Sequence, residues 1–255
     1  MKRFGWLIAL GVGALLVFVL ATLPAGIAAG RLEKLGVQAI AYSGSVWSGR
    51  ADGLAWRSAP IGNLEWHLTP TALLHGRLAG HARLERDDGR LETDFNASFG
   101  GDARLSATTF DFPIAALATL PIGLPKGWQG RAVGNFEEVI VAGGWPTTLR
   151  GTLDMNDLVA PPPRNANVGG FHVVMPHPSP KGVASLPEHL SAQITDKQGP
   201  FSVEGQLSIA KDRSFLFEGM VAPRGEVPEA MRRSLEILGP ADAAGRRPFS
   251  VSGTL

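Results

Sequence analysis

The chain has 255 residues, and its 24 basic and 23 acidic side chains give a formal net charge of +1 at pH 7. This balance, with no basic block, argues against a phosphate-binding surface and against nucleic acid as a partner. Cysteine is absent, which excludes disulfide bonds and thiolate chemistry, and the 32 glycines and 19 prolines favour short strands joined by turns.

The first predicted element is a membrane-spanning helix over residues 4–23. No charged side chain interrupts this stretch, and about 20 residues at a rise of about 1.5 Å span a bilayer core of about 30 Å. Lys2 and Arg3 precede it, so the positive-inside rule places the N-terminus in the cytoplasm. A cleaved signal peptide is the alternative, but its apolar core is normally about 7–15 residues. Residues 24–29 offer only a mediocre cleavage site, so we expect a retained anchor.

A hairpin is predicted soon after the anchor. Residues 24–36 form a juxtamembrane segment, and residues 37–42 have the composition of a strand. The next stretch, GSVWSGRA at residues 44–51, is interpreted as a bulged hairpin that packs Trp47 against a sheet, with glycines supplying positive φ. A ligand-contacting role for Trp47 is the alternative, although a glycine beside an indole is common in β-proteins.

Two more strands are predicted at residues 53–56 and 63–68. In the second, Leu, Trp and Leu alternate with polar residues, which is the pattern of a half-buried strand. A short helix follows at residues 71–74, with Thr69 in a position to cap it and Pro70 at its first position.

The clearest alternation runs from residue 78 to residue 112. Apolar residues recur among charged or small ones, and turn sequences at residues 87–89 and 100–102 separate the runs. Asp-Gly and Gly-Gly-Asp turns between alternating segments are strong hairpin signals. We therefore predict an antiparallel meander, followed by a short helix at residues 114–120.

The second half of the chain also has the sequence pattern of many short strands. Trp-x-Gly-Arg-Ala occurs at residues 47–51 and again at residues 128–132, which is a weak indication of an internal repeat. Further strands are predicted at regular intervals, a spacing that suits a sheet stack or an open, curved sheet. They cover residues 136–142, 149–158, 171–175, 190–195, 201–209, 215–221 and 249–255.

Two proline-rich stretches and one helix interrupt these strands. Residues 161–164 and 176–187 are either mobile docking loops or ordered connections, since proline also stiffens ordinary loops. The best helix outside the anchor is predicted over residues 229–238, because Pro228 begins it and Gly239 ends it.

The sequence offers no constellation for catalysis or metal binding. No histidine pair forms H-x-x-x-H or HExxH, the spacings of zinc ligands on a helix; the six histidines are His67, His75, His81, His172, His177 and His189. No nucleophile elbow or phosphate-binding loop is present. The adjacent carboxylates Glu137-Glu138 and Asp87-Asp88 lack the facing geometry of a glycosidase. We predict no catalytic, cofactor-binding or metal residue, no cofactor and no enzymatic activity; an envelope hydrolase would need convergent titratable residues.

Short motifs follow the apolar N-terminal stretch in a fixed order. They are GSVWSGRA at residues 44–51, IGNLEWHLTPTALLHG at 61–76, GWQGRA at 127–132, WPTTLRGTL at 145–153, APPPRNANVGG at 160–170, FLFEGMVAP at 215–223 and LGP at 238–240. Over nearly the whole chain, these motifs resemble the protein N family of the bacterial type II (general) secretion pathway.

The resemblance implies a bitopic inner-membrane protein of a Gram-negative cell. It would be an accessory component of the machine that moves folded proteins across the outer membrane, acting through contacts with other components, above all the C and D proteins. An alternative of a different class is an AsmA-like envelope protein that binds or conducts lipid in an open β-groove. Leu and Phe packing that closes the inner face of the sheet would indicate a scaffold, whereas an open apolar groove would indicate lipid binding.

The predicted fold is therefore mainly β: one or more elongated, curved antiparallel sheets with a few short helices, plus one N-terminal transmembrane helix. Residues 1–3 are cytoplasmic, residues 4–23 span the membrane, residues 24–36 are juxtamembrane, and residues 37–255 form a periplasmic β-rich domain. An exposed edge strand of this domain would accept a strand from a partner protein.

Overall fold

The structure is a computed structural model, and it describes residues 22–34, 36–57, 59–119, 126–163, 165–175, 189–225, 235 and 238–254. The chain forms two units, Met1–Asp87 and Asp88–Leu255, which we call unit 1 and unit 2. The predicted mainly β, antiparallel fold is confirmed, since the described residues hold 14 strands and a few short helices.

In unit 1, β3 lies between β4 on one side and the two short strands β1 and β2 on the other, and β5 pairs with β4. The strands are β1 (Val37–Gln38), β2 (Ala41–Gly44), β3 (Ser48–Trp56), β4 (Ala59–Leu68) and β5 (Arg77–Arg86).

In unit 2, nine strands form an antiparallel meander in which each strand after the first pairs with the strand of this unit before it. They are β6 (Gly89–Ser98), β7 (Ala103–Pro113), β8 (Gln129–Ala142), β9 (Trp145–Val159), β10 (Asn167–Met175), β11 (His189–Gln198), β12 (Phe201–Ala210), β13 (Ser214–Pro223) and β14 (Arg247–Thr254).

The helices are short. A 3₁₀-helix (Ala25–Ala28) leads into α1 (Ala29–Lys34), and α2 (Pro70–Leu73) and α3 (Ile114–Leu117) lie where helices were predicted. Thr69 takes the cap position of α2, but its side chain makes no capping hydrogen bond.

Several predictions fall outside the described residues. These are residues 4–21 of the predicted anchor, residue 120 of the α3 region, the proline-rich residues 176–187, and the helix at residues 229–238 apart from Leu235 and Leu238. Within the residues that are described, no helix is long and apolar enough to cross a membrane.

Most strands extend beyond their predicted ends. For example, β8 begins at Gln129, whereas the predicted strand begins at residue 136. Neighbouring strands supply ladder partners regardless of side-chain polarity, so pairing continues through polar residues that a hydrophobic pattern does not mark. The predicted strand at residues 37–42 is instead two short strands, β1 and β2, which pair with β3 in the same register and are separated by residues 39 and 40.

Unit 2 has one apolar face and one polar face. Residues that pair across neighbouring strands share a face, and side chains alternate between faces along each strand. One row of paired residues crosses all nine strands and is entirely apolar or glycine: Leu91, Phe110, Gly134, Leu153, Val173, Ile194, Gly205, Gly219 and Phe249. We call the face that bears this row the apolar face.

The row one residue away points to the other face, and it is polar at every strand except β10. It consists of Glu92, Thr109, Asn135, Thr152, Val174, Gln193, Gln206, Glu218 and Ser250. A slip of one residue in any pairing would exchange the two rows, so the alternation fixes the register of the sheet.

Glycine and phenylalanine are paired on the apolar face. At Gly134 and Gly205, a Cβ atom would overlap the ring of a phenylalanine from an adjacent strand, Phe110 on β7 and Phe217 on β13 respectively. The same relation holds for Gly89 with Phe112 and for Gly253 with Phe215. Each ring therefore lies over backbone that has no side chain of its own, which explains part of the high glycine content.

Candidate functional site

The apolar face of unit 2 is only partly covered. Among the described residues, the strands of this unit pack on their neighbours within the sheet, and no second sheet lies against them. No large side chain of the described residues is fully buried, and Val251 on this face is 51% exposed. A face with this composition is a candidate surface for an apolar ligand or partner.

The last strand gives unit 2 a free edge. In the described part of the chain, β14 pairs with β13 alone. In its sequence, RPFSVSGT, the charged side chain and the proline that usually protect an edge are the first two residues, and residues 249–254 contain neither. By contrast, the edge of unit 1 consists of β1 and β2, which are too short to offer a long ladder.

The hairpin between β2 and β3 holds residue 23, the last residue of the predicted anchor. We call residues 44–49 the N-terminal hairpin. The Val46 backbone N–H donates to the Leu23 carbonyl at 2.8 Å, and Trp66 Nε1 donates to the Val46 carbonyl at 2.8 Å. Residue 23 is thus hydrogen-bonded to the hairpin, and the hairpin is hydrogen-bonded to β4.

The two glycines of the N-terminal hairpin have different roles. Gly44 has a φ of +82°, which confirms the predicted positive φ at the turn. Gly49 has no such φ; instead, a Cβ there would lie 2.5 Å from Trp66 Cζ2. Trp47 is half-buried in the turn, and its carbonyl accepts a hydrogen bond from the Leu68 N–H at 2.6 Å.

The two Trp-x-Gly-Arg-Ala segments have similar structures. Each leads into a long strand whose alanine is buried: Ala51 is 1% exposed and Ala132 is 4% exposed. Each arginine pairs with a carboxylate, since Arg50 Nε lies 2.6 Å from Asp52 Oδ1 and Arg131 Nε lies 2.5 Å from Asp111 Oδ1. The segments thus share an inward alanine and an outward ion pair.

A charged network missed by the sequence analysis lies on β9, β10 and β11. Asp154 Oδ1 accepts hydrogen bonds from His172 Nδ1 and Lys197 Nζ, both at 2.8 Å. The bond from Lys197, and then the bond from His172, hold the pKa of Asp154 below its ordinary value of 3.8, against the opposing effect of burial. Three residues on separate strands form this network, so no local spacing could have revealed it.

A cleft of about 730 Å³ lies beside this network. It opens where the pairing of β10 shifts register between Asn167 and Phe171, and its walls are polar side chains and glycine backbone, with Pro200 as the one apolar side chain. Sites for small molecules are mostly apolar, so this lining does not indicate one.

We expect Asp154→Asn to destabilise the protein by about 1 kcal/mol at neutral pH, because a charge-assisted pair is lost at a partly exposed site. The depressed pKa means that the carboxylate contributes stability above the ordinary value of 3.8 and loses it as the pH falls through the lower, folded-state pKa. Urea unfolding at several pH values checks this expectation. A difference between the variants that persisted unchanged at the lowest pH would contradict it.

The other titratable candidates are dispersed. His67 and His81 lie opposite each other on β4 and β5, and His75 Nδ1 donates to the Thr71 carbonyl. Glu138 pairs with Arg104, and His177 lies outside the described residues. Within the described ranges, no three histidine or carboxylate side chains converge to hold a metal ion.

These features define a class of protein: antiparallel β-meanders with one apolar face, one polar face and a free edge. The family model of the type II secretion system protein N matches residues 35–250, which is most of the chain. The chain therefore belongs to the protein N family of the type II secretion system.

Two curated relatives agree with this assignment. The chain is 26% identical to the type II secretion system protein N of Aeromonas hydrophila, over 100% of both chains. It is also 26% identical to the protein of the same name from Vibrio cholerae, over 97% of this chain and 99% of the relative. No solved structure matches the chain significantly. The resemblance stated from the motifs is thereby confirmed, and the chain is a component of the type II secretion system.

Proposed function

We propose that this chain is a non-catalytic accessory component of the secretion system, anchored in the inner membrane by residues 4–23. Its β-rich part would lie in the periplasm and contact other components, with the C and D proteins as the first candidates. The charge-free stretch behind Lys2 and Arg3 supports the anchor and its orientation, and the family membership supports contacts with other secretion components.

The observation that carries the contact mechanism is the free edge of β14. An edge strand presents unpaired N–H and C=O groups, to which an extended segment of a partner can add as a further strand. The strand is eight residues long, and Ser250 and Ser252 are exposed along it. We infer that a partner strand pairs here.

A proline test addresses this edge. Along a strand, the N–H groups of every second residue point to the same side, so those of Ser250 and Ser252 point to the same side as the nitrogen of Pro248. The sheet therefore already accepts a residue without an N–H on that side of β14. We expect Ser250→Pro with Ser252→Pro to remove two ladder hydrogen bonds, about 1 kcal/mol each, and to weaken partner binding roughly thirtyfold. Co-purification of C and D proteins with the full chain from membranes measures this loss.

The matched control replaces the same two serines with alanine, which keeps both N–H groups and should keep the partners. Circular dichroism of both variants checks that the sheet is intact. Equal recovery of partners with the proline and alanine variants would contradict the proposal that a partner strand pairs with β14. It would have no bearing on the family assignment.

A lipid-binding role is the second candidate, and the partly covered apolar face of unit 2 favours it. Acyl chains would lie along the row from Leu91 to Phe249, where phenylalanine rings cover glycines and no second sheet is present among the described residues. Lipid analysis of the same purification discriminates between the two roles. Retained phospholipid without other secretion components would support the lipid role, and recovered components without stoichiometric lipid would support the scaffold role.

A further inference from the structure

Two exposed leucines lie in the connection between β4 and β5. Leu73 ends α2 and is 37% exposed, and Leu74 follows it and is 85% exposed. The surrounding residues 69–77, TPTALLHGR, contain no acidic side chain and include His75 and Arg77. Adjacent exposed leucines beside basic residues are unusual for a surface that faces only water.

Hydrogen bonds place this connection beside the end of the predicted anchor. The Val46 N–H donates to the Leu23 carbonyl, and Leu68, the last residue of β4, donates from its N–H to the Trp47 carbonyl. Residue 23 and the start of the connection thus contact adjacent residues of the N-terminal hairpin. Both therefore lie at the same end of the sheet of unit 1.

We propose that Leu73 and Leu74 insert into the surface of the bilayer in which residues 4–23 are anchored. This inference rests on the proposed membrane anchor, because a span that ends at residue 23 brings this end of unit 1 to the headgroup region. Leucine side chains enter the boundary between headgroups and acyl chains, and the positive charge of Arg77 suits anionic lipids there. The α2 connection would then be a second membrane contact that limits the rotation of unit 1 about its tether.

The absence of cysteine makes a labelling test direct. Leu74→Cys in the full chain gives one thiol, which takes an environment-sensitive fluorophore without disturbing packing, since Leu74 is 85% exposed. The labelled protein is reconstituted into vesicles of phosphatidylethanolamine and phosphatidylglycerol that carry a spin-labelled lipid as quencher. Asp87→Cys is the matched control, because Asp87 is exposed in the turn at the other end of β5, about 30 Å away along a ten-residue strand.

We expect quenching at position 74 to exceed quenching at position 87 by at least about twofold, with a blue-shifted emission. Equal quenching at the two positions would overturn the proposal. A blue shift at position 74 without quenching would also overturn it, since it would place the leucines against protein, either a partner or a second copy. Vesicle flotation separates the two levels of inference: a chain that fails to float contradicts the anchor, whereas a floating chain without quenching contradicts only the leucine contact.

Discussion

Replacing Gly134 with valine is expected to destabilise the centre of unit 2 by about 3 kcal/mol. Gly134 lies on the apolar face of β8, and any Cβ there overlaps the ring of Phe110. The ring would have to leave the backbone that it covers, and it would lose its stacking on Phe136, whose ring centroid is 6.1 Å away. Hydrogen exchange of β7, β8 and β9 should accelerate roughly a hundredfold, since about 1.4 kcal/mol is tenfold.

Asn135→Val is the matched control for this prediction. It puts the same side chain on the same strand, but on the polar and exposed face, where valine suits a strand. Phe110→Ala in the Gly134→Val background should recover part of the loss, because the overlapping ring is gone. Similar exchange rates for Gly134→Val and Asn135→Val would show that the ring does not depend on the glycine.

The second large effect is expected at Trp66, which joins β4 to the N-terminal hairpin. Trp66→Ala removes the ring over Gly49 and the hydrogen bond from Nε1 to the Val46 carbonyl. Because Trp66 is half-buried, we expect a loss of about 3 kcal/mol, at the low end for a tryptophan truncation. Faster hydrogen exchange of residues 44–49 measures the loss.

Trp66→Phe separates the two contributions. Phenylalanine keeps most of the ring but not the donor, so the expected loss is about 1 kcal/mol. Unit 2 should be unaffected by either change, and its exchange rates serve as the internal reference. If alanine and phenylalanine had the same effect, the hydrogen bond alone would account for the connection, and the packing over Gly49 would not contribute.

The fold class could be predicted because local patterns determine it. Alternation along residues 63–68 and Asp-Gly at residues 88–89 specify half-buried strands and a tight turn without reference to the rest of the chain. Positive φ at Gly44 was predictable for the same reason. Pro70 signalled the short helix at residues 71–74, and alanine and leucine positions signalled the one at residues 114–120; the structure places helices at both positions.

Pairings between distant residues could not be predicted. The hydrogen bonds of Asp154 with His172 and Lys197 depend on the register of three strands, and a shift near Gly170 alters that register. The role of Gly49 likewise depends on Trp66, which lies on the next strand. A single sequence gives the alternation of each strand, but it does not say which residue of the neighbouring strand lies opposite.

The glycine–phenylalanine relation on the apolar face has a modular consequence. In four strand pairs, β6–β7, β7–β8, β12–β13 and β13–β14, a ring from one strand covers a glycine of its neighbour, so these pairs bring their own covering and need no distant element to shield them. The energetics of unit 2 are then those of a linear array with nearest-neighbour terms, as in repeat proteins. Such a sheet could gain or lose a hairpin during evolution without redesign of a common core, and its reach could be adjusted one hairpin at a time.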